Sequence, residues 1–367
     1  MNDQAYMAQA LRLAEQGLYS THPNPRVGCV VVADGQVVGE GWHVRAGEPH
    51  AEVHALRAAG VLAQGATAYV TLEPCSHHGL TPPCAAALVR SGVQRVVIAM
   101  QDPNPQVAGR GIALLREQGI EVDVLSGELN AAARALNCGF VKRMEHGLPF
   151  VRLKLAMSLD GRTAMASGES QWITGPDARA DVQLLRARSS AIITGADTVI
   201  TDNARLTVRA DVLPLSAEQR DLALSRAPLR IVIDGRLRVL TDVAFFNAGP
   251  VLVVTYQTPP ANTPGIEYIQ VAQDKGHVDL QAVLAELARR GINELMVEAG
   301  PQLAGAFMQA GLVDELYVYM AGMLLGSSAQ PLMQLPIDLM ADAVRLDIVE
   351  IRALANDWRI IARPVFF

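Results

Sequence analysis

The sequence is short of cysteine, of long apolar runs and of positive charge. Four cysteines among 367 residues are too few and too scattered for a disulfide framework, which excludes the small stapled secreted folds. The longest apolar stretches, such as 27–33 and 251–254, fall far short of the roughly 20 residues a membrane span needs. The 31 Lys and Arg are outnumbered by 37 Asp and Glu, a formal net charge of −6, so phosphate polyanions meet no general attraction and nucleic acid is not an expected partner. No basic segment followed by an apolar one opens the chain, and the expected location is the cytoplasm. G-x-G-x-x-G does not occur, leaving a dinucleotide site of the Rossmann type without its fingerprint. Repeats of fixed period and low-complexity tracts are absent too.

What is present is a chain two to three times the length of a typical domain and half apolar, enough for two cores. Tyr6, Met7, Ala10, Leu11 and Ala14 recur at helical spacing and Gly17 stops them. Two strand-like runs, 27–33 and 36–42, flank Asp34-Gly35, a dipeptide suited to the positive φ of a hairpin turn. Helices near 50–59, 84–91 and 111–118 then alternate with strands near 68–72, 95–99 and 121–125. Apolar periodicity lapses over 143–149, a new strand-like run begins at Phe150, and we divide the chain there into 1–145 and 146–367. The second part alternates again, with strands near 191–195, 230–234, 251–255, 294–298 and 315–320 and helices near 177–187, 279–290 and 302–310. Both parts read as α/β. The mostly polar stretch from 202 to 230 lacks a clear period and is expected to be a long functional loop.

Within the first part, His50-Ala51-Glu52 is followed by Pro74-Cys75 and, after eight intervening residues, by Cys84. Residues two apart in a regular helix point about 200° away from each other, so His50 and Glu52 can share a site only at a helix start. Cys84, behind Pro82-Pro83, is placed to open another helix. Helix N-termini favour thiolate. One imidazole and two thiolates leave a fourth tetrahedral position for water, as catalytic zinc requires, and Glu52 is the candidate base beside it. Taken singly, each residue has a plainer explanation: His50 a surface residue, Cys75 and Cys84 core thiols, Glu52 a favourable charge at a helix start. Together, H-x-E with Pro-Cys and a further Cys resembles the zinc nucleobase deaminases, with C-x8-C in place of their usual C-x-x-C.

Thr71-Leu72-Glu73-Pro74-Cys75-Ser76-His77-His78-Gly79, with Thr21-His22-Pro23-Asn24-Pro25 and Gln101-Asp102-Pro103-Asn104-Pro105, narrows this to a resemblance to the bifunctional riboflavin-biosynthesis deaminase/reductases. It extends into the second part through Lys154-Leu155-Ala156-Met157-Ser158-Leu159-Asp160-Gly161-Arg162 and Ser167-Gly168-Glu169-Ser170-Gln171-Trp172-Ile173-Thr174. The resemblance implies a zinc cytidine-deaminase-like α/β/α domain followed by a dihydrofolate-reductase-like α/β domain. It implies hydrolytic deamination of a ribosylated diaminopyrimidinone 5′-phosphate with one zinc, Glu52 relaying the proton, and Asn24, His43 and His77 contacting the substrate. NADPH-dependent reduction of the ribosyl group to ribityl follows from it, and a homodimer is the oligomer it suggests.

Carried over position by position, Ala156, Trp172, Thr198, Asp202 and the turn Gly300, Pro301, Gln302, Leu303, Ala304, Gly305 and Ala306 would contact NADPH. Ser170, Arg186, Leu206, Arg209 and Glu298 would hold the sugar phosphate, with Lys154 and Asp160 near the reacting sugar. From the residues alone, the strand-to-helix turn at Gly300 offers exposed N–H groups that suit phosphate, although a plain connection looks much the same. Arg186 could equally be a surface charge and Trp172 a core aromatic. Three positions depart from the family pattern: Leu80 replaces a basic residue, Met323 a lysine, and Asp234-Gly235 an Asp-Ser. A tRNA or nucleoside deaminase and a zinc-stabilised binding module are the rival classes. The long insert between Cys75 and Cys84 and the acidic charge tell against the first; an open coordination position tells against the second.

Overall fold

The computed structural model describes residues 3–76, 83–260 and 263–366. The chain forms two compact units that meet in sequence between Gly147 and Leu148.

In the first unit a five-stranded sheet runs in the order β2-β1-β3-β4-β5, with β1 Gly28–Ala33, β2 Gln36–Trp42, β3 Thr67–Val70, β4 Arg95–Ile98 and β5 Glu121–Val124. Strand β1 pairs antiparallel to β2 and β3; β3, β4 and β5 are parallel. Asp34 and Gly35 take φ of 50° and 77°, the left-handed pair that closes a two-residue hairpin. Side chains alternate between faces as a strand's period of two requires. Cys29 and Val31 join the core beneath α2 (Ala51–Ala59), α3 (Cys84–Ser91) and α4 (Arg110–Glu117). Val30 and Val32 face α1 (Asp3–Glu15), α5 (Glu128–Leu136) and α6 (Cys138–His146). The result is an α/β/α sandwich. Helix α2 lies very close to β2: a Cβ at Gly39 would stand 2.1 Å from the Ala55 carbonyl oxygen, and one at Gly41 2.5 Å from that of Ala51. This contact fixes the N-terminal end of α2, where His50 sits.

Sequence periodicity did not anticipate α5 and α6. Each buries only a few residues, Ala133 on α5 and Gly139, Phe140 and Val141 on α6. Helix α6 runs through the stretch read as lapsing and stops at Gly147, φ 68°.

The second unit holds a nine-stranded sheet built from β6 Phe150–Ser158, β7 Ala191–Gly195, β8 Leu229–Ile233, β9 Val251–Thr255, β10 Ile266–Gln270, β11 Glu294–Glu298, β12 Glu315–Ala321, β13 Arg345–Leu354 and β14 Asp357–Val365. Their order is β10-β9-β8-β7-β11-β6-β12-β14-β13. All neighbours are parallel except β12 with β14 and β14 with β13. Leu295 and Val297 face the core shared with α10 (Leu280–Arg289) and α11 (Pro301–Gln309), whereas Met296 faces that of α7 (Pro176–Arg188). The chain leaves β6 toward β7 and later returns to insert β11 between them. Such a reversal opens a crevice at the carboxyl ends of parallel strands. Residues 202–230 are more structured than expected: α8 (Ala196–Asp202) ends on their first residue, α9 (Ala217–Leu224) lies within them, and Leu206 is buried in the core.

Candidate functional site

In the first unit, His50 is the N-cap of α2, Cys84 the first residue of α3, and Cys75 follows the extended segment after β3. Their donor atoms lie within 4.8 Å of one another. The Nδ1 of His50 is 3.1 Å from Cys84 Sγ and 3.6 Å from Cys75 Sγ. A tetrahedral zinc with ordinary bond lengths sets such N···S separations at about 3.6 Å, so the three side chains fit the ion. The Cys84 N–H points at Cys75 Sγ, 3.3 Å away. Hydrogen bonding from the Cys84 thiol, then from His50, brings Cys75 down to about 4 despite burial. A thiolate is therefore available to a metal.

Glu52 is the second residue of the same helix, in its first turn, and is buried. Burial raises its carboxyl to about 7, against the opposing charge of His50, and its Oε2 has no hydrogen-bond partner among the described residues. A buried acceptor without a partner is costly, and it stands beside a metal-ligand cluster. His43 and Asn24 are joined: His43 Nδ1 faces the Pro49 carbonyl at 3.2 Å, which can only accept, so Nδ1 carries the proton and Nε2 accepts from Asn24 Nδ2 at 3.0 Å. Burial, with the charges of His50 and His54, lowers His43 to about 4; it is a neutral, orienting imidazole. His77 and Leu80 lie outside the described residues.

A cleft of about 690 Å³ opens at the carboxyl ends of the strands in the second unit. Lys154 and Ala156 of β6, Ser170 and Trp172 of the following loop, Arg186 of α7, and Thr198 and Asp202 of α8 line it. So do Leu206, Arg209, Glu298 and Gly300 through Leu303. Gly300 is the N-cap of α11 and Pro301 its first residue. The free N–H groups of that end face the cleft, and a Cβ at Gly300 would meet nothing within 4 Å, so the rim accommodates a phosphate-bearing cofactor.

Other expected residues lie elsewhere. Ala304 is in the core beneath α11, Gly305 backs onto the Gln334 carbonyl, and Ala306 is exposed away from the cleft lining. Asp160 is also absent from the lining. Its carboxylate takes hydrogen bonds from the Ser158 hydroxyl and from the Leu325 and Gly326 N–H groups, which hold it down at about 2.

The floor of the cleft is an ion cluster. Arg186 grips Glu298 with two nitrogens, at 2.6 and 2.9 Å, and donates to the Thr207 carbonyl at 3.0 Å. Lys154 Nζ lies 3.9 Å from Glu298. Burial pushes Glu298 up, but Arg186 and Lys154 outweigh it and hold the acid below the ordinary carboxylate range. Burial lowers Lys154 in spite of Glu298.

Three supporting residues escaped the sequence reading. Gln183, buried on α7, accepts the Arg209 N–H at 2.9 Å. Its place three residues before Arg186, on the same helix face, was the available signal. Arg179 stacks over the exposed Trp172 ring, 4.8 Å from its centre. Asp357 accepts the Gly175 N–H at 2.6 Å and anchors the loop that carries Ser170 and Trp172; nothing local in the sequence marks that pairing.

Residues 149–360 match the model of the RibD C-terminal domain, and residues 1–100 match that of the cytidine and deoxycytidylate deaminase zinc-binding region. The riboflavin biosynthesis protein RibD of Escherichia coli (strain K12) is 54% identical over 364 residues, 97% of this chain and 98% of the relative. RibD of Acinetobacter baumannii, form 1, superposes with a TM-score of 0.91 at 46% identity over 99% of both chains. A Thermotoga maritima structure described as a diaminohydroxyphosphoribosylaminopyrimidine deaminase/5-amino-6-(5-phosphoribosylamino)uracil reductase gives 0.86 at 32% identity, again over 99% of both. Matched along nearly its whole length, with a zinc-binding deaminase region in one unit and a reductase domain in the other, the chain belongs to the RibD family of bifunctional riboflavin-biosynthesis enzymes.

Proposed function

We propose that the first unit deaminates a ribosylated diaminopyrimidinone 5′-phosphate and that the second reduces the ribosyl group of the product to ribityl with NADPH. The observation that carries this is the convergence of His50, Cys75 and Cys84 beside a buried Glu52 whose Oε2 is unpartnered among the described residues. His50, Cys75 and Cys84 would hold a zinc ion, which would polarise and acidify a water molecule. In the deamination a C–O bond to water forms, the C–N bond breaks and ammonia leaves. Glu52 takes up the two protons that the water gives up in turn, delivering one to the ring nitrogen and the other to the departing amino group. Asn24, oriented by His43, offers its amide oxygen to a substrate N–H.

In the second unit, Arg209 and Ser170 hold the phosphate, with Leu206 packed beneath the sugar. Lys154, Arg186 and Glu298 set the charge around the reacting carbon. Ala156, Trp172, Thr198, Asp202 and the 300–303 turn, which line the cleft, would hold NADPH, which would supply the hydride. Asp160 and residues 304–306 support the walls of this site. The enzyme works in the cytoplasm; no helix among the described residues is long and apolar enough to cross a membrane. A homodimer is supported by β13 and β14, an edge hairpin with Ile348, Ile351 and Trp358 exposed, and sedimentation at twice the chain mass is the result expected.

Glu52→Ala tests the assignment. The variant is expected to keep zinc and fold, to lose ammonia release by about 10²–10⁴-fold, and to oxidise NADPH normally when the deaminated intermediate is supplied. Undiminished ammonia release would refute the role of Glu52, and loss of zinc would make it a metal-holding residue.

A further inference from the structure

We propose that Glu73 is a positioning residue for Cys75, holding the turn that carries this ligand against the start of α4 and the 102–109 loop. The inference rests on the metal reading of His50, Cys75 and Cys84. Glu73 is 3% exposed, and its carboxylate accepts four backbone N–H groups. Oε1 takes those of Gly111 and Ile112, at 2.9 and 3.3 Å, in the first turn of α4. Oε2 takes those of Asp102 and Gly109, at 3.2 and 3.0 Å. Its own N–H donates to the Met100 carbonyl at 3.0 Å. Four donors aimed at two oxygens leave no room for a donor on the residue itself; the isosteric amide of Gln would turn an NH₂ toward two N–H groups. A charged acceptor at a helix start is also favoured by the helix dipole.

The link from this carboxylate to the metal ligand is short and stiff. Pro74 alone separates Glu73 from Cys75, and its carbonyl is packed so tightly on α4 that a Cβ at Gly111 would stand 2.0 Å from it. On its other side, Cys75 is held by the start of α3: its carbonyl accepts the Ala85 N–H at 3.1 Å and its sulfur the Cys84 N–H at 3.3 Å. Cys75 thus hangs between two helix starts, and Glu73 ties one of them. The 102–109 loop is folded on itself, Asp102 Oδ1 accepting the Asn104 N–H at 2.8 Å and Asn104 Oδ1 that of Gln106 at 3.0 Å. Glu73 Oε2 fastens both ends of this loop, which gives the Gln101-Asp102-Pro103-Asn104-Pro105 motif a structural reason.

The test compares the full-length wild type with Glu73→Gln and Glu73→Asp. Zinc content, competition for zinc with a chromogenic chelator, and the sulfur-to-metal absorption of the cobalt-substituted protein are measured, with NADPH oxidation as the control for the second unit. Glu73→Gln is expected to bind zinc about 10- to 100-fold more weakly, with altered cobbalt–thiolate bands and unchanged reductase turnover. Glu73→Asp keeps the charge but is one methylene short, and should fall between. Zinc affinity and cobalt spectrum within twofold of wild type in Glu73→Gln would overturn the proposal whatever happens to the melting temperature. Loss of amide-exchange protection throughout β1 and β3 in both variants would overturn it too, since Glu73 would then hold the core rather than the ligand. A wild type that takes up no zinc would instead sink the metal reading on which the proposal stands.

Discussion

Glu298→Gln removes the one negative charge to which Arg186 and Lys154 are both paired, and leaves two cations in the floor of the reductase cleft. The three side chains are 10%, 15% and 20% exposed for Glu298, Arg186 and Lys154, so solvent screens them little. At 3.9 Å, the Lys154 separation, a charge pair is worth about 4 kcal/mol at an effective dielectric constant of about 20. Removing one member of a buried pair costs about 3–5 kcal/mol because its partner is stranded. For a unit of this size each kcal/mol moves the melting temperature by about 2–4 °C, so a drop of about 10 °C is expected in differential scanning calorimetry. In an Arg186→Met background the same substitution should cost less than half as much, since one stranded cation has gone. The pH dependence has a defined sign. Glu298 is held below the ordinary carboxylate range, so its contribution is full above about pH 5, where the carboxylate is ionised in both folded and unfolded chains, and fades as pH falls through the lowered value. The gap between wild type and variant should therefore close in acid. A shift under 2 °C at neutral pH, or an equal shift in the Arg186→Met background, would refute the picture of a mutually neutralising cluster.

Two further outcomes follow from the same geometry. Stripping zinc with a chelator should abolish ammonia release and leave NADPH oxidation of supplied deaminated intermediate intact, with ammonia release restored by added zinc; parallel loss of both activities would contradict two separate sites. Because a ligand held at about 100 times its Kd stabilises by about 2.7 kcal/mol, amide exchange in β1 and β3 should quicken on removal. Gly305→Ala would put a Cβ 2.0 Å from the Gln334 carbonyl oxygen, a backbone atom that cannot swing away. Overpacking of this kind costs about 1–3 kcal/mol. Since the Gln334 N–H donates to the Pro301 carbonyl at 3.0 Å, the KM for NADPH should rise along with the loss in melting temperature, and a variant with both unchanged would show that the 330–335 segment does not shape the cofactor rim.

The candidate metal cluster was legible because its spacing is local mechanics. His50 and Glu52 can cooperate only at a helix start, and Pro83 before Cys84 marks another, so the sequence by itself placed His50, Glu52 and Cys84 at helix starts. It also determined most strands, whose alternation reports a buried face directly, as in Cys29 and Val31 against Val30 and Val32. Strands β13 and β14 gave no such signal, since β13 is an edge strand with mostly exposed side chains; α5 buries only Ala133, and α6 only Gly139, Phe140 and Val141. Only the tertiary structure decided the reductase cleft. Arg186 meets Glu298 across 112 positions of sequence, a pairing created by inserting β11 between β6 and β7, and Asp357, at the start of β14 beside β12, reaches Gly175 across 182. The role of Glu73 was hidden for the same reason: four N–H groups converge on it from residues 29 to 39 positions away. A helix start or an alternating strand is written in neighbouring residues, but a charge acquires its partner only when the chain has closed around it.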